Sequence, residues 1–245
     1  VSMDLKHVSK PRIQAEFAKL LLSPKPSFGL RYIKDIGIKK LFGVYVKDET
    51  KACDTLLLCC DAVAQSALHL DNKSKVLLQV TTCCVVLVTS LGFDELKNNQ
   101  LTHKANLKLV LSVFLSSKKQ QEACLVLFES VGFASSWFKT DCGLEERAKA
   151  GLYLYQLNLL DLFKQLINTL YPVLYPQDYV TILDNVHTSL DQLVFDKPDL
   201  LSGSELIGFG YKKGPVIKKI KDELLLKQCL GEVATKQEAL EWLKC

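Results

Sequence analysis

The sequence predicts an all-α protein, and three observations support this fold class. First, apolar residues recur at helical spacing, as in the stripe formed by Ile13, Phe17, Leu20 and Leu21. Second, helix start signals such as Ser9 followed by Pro11 punctuate the chain. Third, 48% of the 245 residues are apolar and 24% are charged, which is typical of a globular protein with one large or two small cores.

Helices are predicted along the whole chain. Their predicted positions are from Ser9 to Ser23-Pro24, from there towards Gly37, over residues 51–70, from residue 72 onwards, over 103–115 and 118–131, between 144 and 171, and over 177–194. The run LYLYQLNLLDLF, residues 152–163, alternates well enough to imitate a strand. We predict a helix there because its neighbours are helical and the run is too long for a strand. Pro172 and Pro176 are predicted to break the chain after it.

The last part of the chain has clear punctuation of its own. Lys197-Pro198-Asp199 is predicted to be a linker, and residues 202–204 to lead a short helix that ends at Gly210. Gly214-Pro215 is predicted to open a longer helix, because proline suits the first turn. Thr235 and Glu238 form a T-x-x-E capping box for the final helix.

The apolar stretch 76–93 reaches the minimum length of a membrane span, but polar residues interrupt it: Gln79, Thr81, Thr82, Thr89 and Ser90. We therefore predict a buried helix of a soluble bundle, and no membrane partner.

The nine cysteines form no C-x-x-C pair and no signal peptide precedes them. We therefore expect reduced, buried thiols in an intracellular, reducing compartment: cytoplasm, nucleus or mitochondrion. The four histidines are scattered, and no spacing indicates a metal site.

Charge is unevenly distributed along the chain. Residues 1–51 carry a net charge of +6, residues 52–201 carry −4, and residues 202–245 carry +2. The basic ends would meet an anionic partner, although composition alone favours ordinary surface charge.

The tail reads LSGSELIGFGYKKGPVIKKIKDELLLKQCLGEVATKQEALEWLK over residues 201–244. Gly214 lets the backbone approach a ligand closely, and the first amides of the helix after it suit a phosphate. Lysines cluster around this turn, and they can hold a nucleic-acid backbone by charge. The candidate phosphate-binding residues are Lys212, Lys213, Gly214, Lys218, Lys219 and Lys221. The simpler alternative is a solvated helix face that follows a Gly-Pro turn.

This tail resembles the C-terminal tail of CCA-adding tRNA nucleotidyltransferases and related bacterial poly(A) polymerases. The segment VSKPRIQAEFAKLLLSPKPSFGLRYIKDIGIKKLF, residues 8–42, independently resembles the neck-to-body stretch of the same family. The resemblance rests there on Ser9, Arg12, Ile13, Glu16, Phe17, Lys19, Leu20, Leu21, Pro26 and Gly37. It implies scaffolding roles for Arg12 and Glu16, which are also spaced i,i+4 and able to pair. Lys10, Lys19, Lys25 and Arg31 are further candidates for RNA contact.

The departures from the family are equally informative. The family's catalytic head needs Gly-Ser followed by D-x-D to hold metal ions, but the only Gly-Ser is Gly203-Ser204 and no D-x-D occurs. The family's E-D-x-x-R motif is missing, and no histidine precedes an aspartate as in its phosphohydrolase relatives. We expect no catalytic residues, metal or cofactor in this chain; Mg and CTP or ATP would belong to a separate or missing head. The start at Val1 likewise suggests a fragment.

The resemblance implies an elongated multi-helix bundle followed by a small helical tail. We expect neck-like helices over residues 1–50, a helical body over 51–197 and an RNA-binding tail over 198–245. The expected partners are tRNA and a catalytic head domain in cis or in trans, with no DNA. Trp137, Phe138, Tyr153 and Tyr155 are able to stack on bases, but their apolar surroundings favour the core. The alternative function is a non-catalytic protein–protein interaction module, which predicts a large exposed apolar patch.

Overall fold

The computed structural model describes residues 9–32, 48–89, 117–137 and 143–244, and between these ranges residues 35, 107, 111–112 and 114–115. The described residues contain no β-strand, so the all-α prediction is confirmed. They form eleven helices, numbered here in chain order: α1 Lys10–Leu21, α2 Ser27–Leu30, α3 Glu49–Ser66, α4 Asn72–Thr89, α5 Lys118–Trp137, α6 Leu144–Gln156, α7 Leu160–Leu174, α8 Tyr179–Asp191, α9 Gly203–Gly208, α10 Pro215–Cys229 and α11 Lys236–Trp242. No described helix has the length and apolar character needed to span a membrane.

The chain divides into two compact units. The first unit comprises Val1–Ser135 and Leu159–Leu183, and the second comprises Ser136–Asn158 and Asp184–Cys245. Each unit is thus assembled from two separate stretches of sequence. The organisation expected from the resemblance, with boundaries at residues 50 and 197, stays a prediction.

The first unit is built around α3, which packs against α4 and α7. Helix α1 packs against α4, and α2 packs against α3. Four side chains of α7 are completely buried at helical spacing, which explains why this amphipathic helix lies in the core: they are Phe163, Leu166, Ile167 and Leu170. The hydroxyl of buried Tyr171 donates a 2.7 Å hydrogen bond to the carbonyl oxygen of Val131.

Thiols fill much of the contact between α3 and α4. Among the described residues, seven cysteines are free and buried, as predicted: Cys53, Cys59, Cys60, Cys83, Cys84, Cys124 and Cys229. The sulfur atoms of Cys60 and Cys83 lie 3.9 Å apart, and Cys124 Sγ lies 3.0 Å from Thr81 Oγ1. Burial raises the pKa of Cys59, and likewise that of Cys124, to about 12. These thiols therefore pack as small apolar side chains.

The second unit holds α6 against α10, and α9 against α10. A Cβ atom on Gly151 of α6 would lie 2.6 Å from the ring of Phe195, so the chain after α8 packs tightly onto α6. The rings of Tyr155 and Phe195 are stacked, with centroids 5.7 Å apart. Gln156 Nε2 donates to Asp222 Oδ1 at 2.9 Å and thereby links α6 to α10.

Two predicted features between residues 144 and 176 were wrong. The single predicted helix is interrupted at residues 157–159, where Asn158 has a positive φ of 55°, a conformation that asparagine tolerates. Pro172 does not end a helix but lies inside α7, which continues to Leu174. A proline this close to the end removes a single hydrogen bond, so the helix accommodates it.

Several predicted helix signals are confirmed. Ser9 occupies the N-cap position of α1, although its side chain forms no capping hydrogen bond, and Pro11 lies in the first turn. Helix α4 begins at Asn72, and Pro215 opens α10. The Thr235–Glu238 capping box is formed. Most of the helix predicted over 103–115 lies outside the described residues. Gly37, where a helix end was predicted, also lies outside them.

Candidate nucleic-acid interface

Helices α9, α10 and α11 share a small core of their own in the second unit. Its buried residues are Leu201, Leu206, Leu224, Val233 and Ala239. Trp242 packs against this cluster. Both short helices begin with a capping box, Ser202–Glu205 and Thr235–Glu238, which satisfies their first amides. The core and caps together fix the position of α10.

Glu205 also connects the two short helices. Its carboxylate accepts a hydrogen bond from Lys236 Nζ and another, of 2.8 Å, from the backbone amide of Ser202. The hydrogen bond from Lys236, followed by that from Ser202, lowers the pKa of Glu205 to about 2. The carboxylate is therefore charged at any physiological pH, so it continues to accept the hydrogen bonds from Lys236 and Ser202.

The junction between α9 and α10 depends on the backbone of Gly214. This residue has φ 133° and ψ −150°, a region that is essentially restricted to glycine. Pro215 has no amide hydrogen, and the Ile217 amide donates to the Gly214 carbonyl oxygen at 3.1 Å. The start of α10 thus offers fewer amides to a phosphate than the sequence suggested, and charge must come from side chains.

A pocket of about 680 Å³ opens beside this junction. It combines an apolar wall with lysines and two carboxylates, and its lining residues are Asp199, Gly203, Ile207, Lys213, Gly214, Ile217, Lys218, Lys221, Asp222 and Leu225. The members on α10 are residues 217, 218, 221, 222 and 225, a pattern that repeats every four residues because one face of the helix turns towards the pocket. Four of the predicted candidates, Lys213, Gly214, Lys218 and Lys221, are brought together here.

The two carboxylates of the pocket are already engaged. Lys221 Nζ lies 2.5 Å from Asp199 Oδ2, and Asp222 accepts its hydrogen bond from Gln156. Lys213 and Lys218 are exposed, and neither forms an ion pair with any described residue. These two ammonium groups are thus the cations of the pocket that remain available to an anionic ligand.

Lys212 and Lys219 were also predicted to bind phosphate, but neither lines the pocket. Both are exposed. Lys219 follows Lys218 by one residue, which rotates its side chain by about 100° around the helix axis. Lys219 thus lies on α10 with Lys218 but on another face, and Lys212 lies beside Lys213 in the loop before α10.

The N-terminal candidates are arranged differently from expectation. Glu16 pairs with Lys19 at 3.0 Å, in place of the predicted pairing with Arg12. Arg12, Glu16 and Lys19 are all exposed, and the scaffolding role of Arg12 and Glu16 stays a prediction. Lys10 begins α1, and its side chain lies outside the described residues.

Lys25 and Arg31 are brought together by an aromatic residue that the sequence reasoning overlooked. Lys25 Nζ lies 5.8 Å from the ring centroid of Phe28, and the guanidinium carbon of Arg31 lies 4.7 Å from it. The Phe28 side chain is 63% exposed. Its spacing of three residues from each cation was the signal that would have revealed this cluster.

The aromatic residues considered in the sequence behave differently from one another. Tyr153 is 53% exposed, so the core position favoured for it was wrong. Tyr155 is also partly exposed and stacks on Phe195. The side chains of Trp137 and Phe138 lie outside the described residues. Phe195 covers one face of Tyr155, whereas Tyr153 makes no ring contact with another described residue.

Among the described residues, no group of three or more His, Cys, Asp or Glu side chains is arranged to hold a metal ion.

A family model described as "Probable RNA and SrmB- binding site of polymerase A" matches residues 2–42. The matched range includes α1, α2 and the cluster around Phe28. The match supports a relationship to the poly(A) polymerase and CCA-adding proteins at the N-terminal end of the chain, and it is consistent with RNA binding. No curated protein and no solved structure matches the chain.

Proposed function

We propose that this chain is the tRNA-binding body and tail portion of a CCA-adding tRNA nucleotidyltransferase, acting in the addition or repair of the 3′-terminal CCA. The observation that carries the proposal is the match of residues 2–42 to an RNA-binding region of polymerase A. The pocket beside Gly214 supports it from the other end of the chain. A family-like Gly-Pro turn lies there next to Lys213 and Lys218, which form no ion pair with any described residue.

The pocket suits contact with an RNA backbone. Lys213 and Lys218 supply positive charge, while Ile207, Ile217 and Leu225 give the site an apolar wall. Lysine ammonium groups attract phosphates without reading bases, so such contacts fix the position of the RNA and not its sequence. Recognition by backbone and shape is the usual mode for A-form RNA, whose deep groove hides the base edges.

Nucleotide transfer would take place on a head domain supplied in cis or in trans. This chain has no D-x-D pair, so the Mg ions and the CTP or ATP would be bound by that head. The task of this chain is to hold the tRNA while its 3′ end reaches the head.

The test is the affinity of the chain for a folded tRNA transcript, measured by fluorescence anisotropy across a salt series. We expect affinity to fall as salt rises, because phosphate contacts release counterions. The double variant Lys213→Glu with Lys218→Glu should bind far more weakly, and its plot of log K against log salt should flatten by about one unit per lost phosphate contact.

A matched control is the variant Lys118→Glu with Lys119→Glu, at the start of α5. It makes the same change in net charge at two exposed lysines outside the pocket, and it should bind nearly as well as the unchanged chain. If the chain fails to bind tRNA at low salt, the proposal is wrong. Equal losses in both variants would assign binding to net charge and contradict the role of the pocket.

A further inference from the structure

Helix α2 carries an exposed aromatic surface between two cations. Phe28 is 63% exposed and Tyr32, four residues later, is 68% exposed. Arg31 keeps helical dihedral angles, with φ −53° and ψ −36°, so Phe28 and Tyr32 stand at i,i+4 spacing and share a face. Lys25 and Arg31 lie over the Phe28 ring at 5.8 and 4.7 Å.

The opposite side of α2 is firmly attached to the first unit. Ser27 and Leu30 are buried, and the Ser27 amide donates a 2.9 Å hydrogen bond to Asp61 Oδ1 on α3. A Cβ atom on Gly29 would lie 2.5 Å from Leu20 Cδ1, so α2 approaches α1 as closely as a glycine allows. The aromatic face is therefore held in a fixed position, and a ligand would pay little ordering entropy to use it.

The chemistry of this surface fits a nucleotide better than an apolar partner. An exposed ring offers a stacking face for any base, and a guanidinium plane stacks on bases as well. Lys25 and Arg31, which lie over the ring, supply the positive charge that suits the phosphates on either side of a base. A protein partner with an apolar face would instead have to cover both charges.

We propose that Phe28, flanked by Lys25 and Arg31 and extended by Tyr32, is a stacking platform for an unpaired RNA nucleotide. The base must be unpaired and unstacked because neighbouring bases cover its faces inside a duplex. The proposal rests on the proposed RNA binding, and it adds a second contact, in the first unit, to the lysines of the pocket.

The test uses two probes: the folded tRNA transcript, and an eight-nucleotide single-stranded RNA with 2-aminopurine at its centre. Stacking on an aromatic ring quenches 2-aminopurine fluorescence, so the unchanged chain should quench the oligonucleotide on binding. Phe28→Leu should abolish the quenching and weaken oligonucleotide binding about five- to hundredfold, the effect expected for one lost base–aromatic stack. Phe28→Trp should retain both.

Leu58→Ala is the matched control, since Leu58 lies in the same unit and has the same 63% exposure. It should leave quenching and affinity unchanged. The variant Lys25→Gln with Arg31→Gln should weaken binding and make it less sensitive to salt, with quenching still present at saturation. Thermal unfolding of each variant checks that the fold is intact.

The outcomes separate this inference from the proposed function. If the unchanged chain binds tRNA and the oligonucleotide but Phe28→Leu binds and quenches equally well, the platform is wrong while RNA binding stands. If the unchanged chain binds neither RNA, both proposals are wrong. If Lys213→Glu with Lys218→Glu loses the tRNA but still quenches the oligonucleotide, the platform is supported independently of the pocket.

Discussion

Gly214 links α9 to α10 through a backbone conformation that other residues adopt only with strain. No atom lies within 4 Å of a Cβ placed on it, so backbone strain alone determines the cost of substitution. We expect Gly214→Ala to lower the free energy of unfolding of the second unit by about 1–3 kcal/mol, or to shift the junction. Urea unfolding followed by circular dichroism measures the change.

Gly208→Ala is the control for that experiment. Gly208 ends α9, also has open space around it, and does not have a positive φ. Because alanine favours a helix, its stability should be unchanged or slightly higher. Equal destabilisation by both substitutions would contradict the argument from backbone strain.

The buried thiols of the first unit should be chemically inert in the folded chain. With a pKa of about 12, Cys59 and Cys124 carry only about one thiolate in ten thousand molecules at pH 8. We expect iodoacetamide to leave both unmodified until urea unfolds the chain, as read by peptide mass spectrometry. Cys229, which is 8% exposed and lies in the second unit, should react earlier. Rapid labelling of Cys59 in the folded chain would be inconsistent with its burial.

The same thiols make stability depend on alkaline pH. Their folded pKa values lie above the ordinary value of 9.0, so the folded state holds protons that the unfolded state releases. Their contribution to stability is fully present below pH 9 and is lost as pH rises from 9 towards 12. The urea midpoint of the first unit should therefore fall between pH 8.5 and pH 10.5, and a constant midpoint over that range would contradict the assignment.

Neighbouring lysines of α10 point to different sides of the helix, so their contributions to RNA binding can be compared. Lys218 lines the pocket, whereas its neighbour Lys219 does not. We expect Lys218→Ala to weaken tRNA binding more than Lys219→Ala, and only Lys218→Ala to reduce the salt dependence by about one unit of slope. Anisotropy titrations at three salt concentrations measure both quantities. The reverse order of effects would move the RNA contact to the other face of α10.

Sequence reasoning succeeded where the determining chemistry is local. The T-x-x-E box at Thr235 and the proline in the first turn of α10 act within four residues, so their helices began where predicted. It failed at residues 157–159, because Asn158 ends α6 without a glycine or proline and apolar residues continue on both sides. The role of Asp199 was also missed, since its partner Lys221 is distant in sequence and only the folded chain brings them together.

At the scale of the whole molecule, the second unit depends on residues far from the C-terminal end. Asp222 and Cys229 of α10 bond to Gln156 and to the carbonyl oxygen of Val194, both of which precede residue 198. A polypeptide of residues 198–245 alone should therefore be less helical and exchange its α10 amides faster than the same residues in the full chain. Hydrogen exchange followed by mass spectrometry measures this, and equal protection would show that the predicted tail folds by itself.

The break at Asn158 separates two helices that belong to different units, and this has a consequence for synthesis. Helix α6 leaves the ribosome before its partner α10 has been translated. At 5–20 residues per second, the interval from residue 156 to residue 229 lasts about 4–15 s. During that time α6 lacks α10, the helix whose Asp222 accepts a hydrogen bond from its Gln156. The nascent chain thus passes through a window in which chaperone binding or a change in codon speed would alter the yield of folded protein.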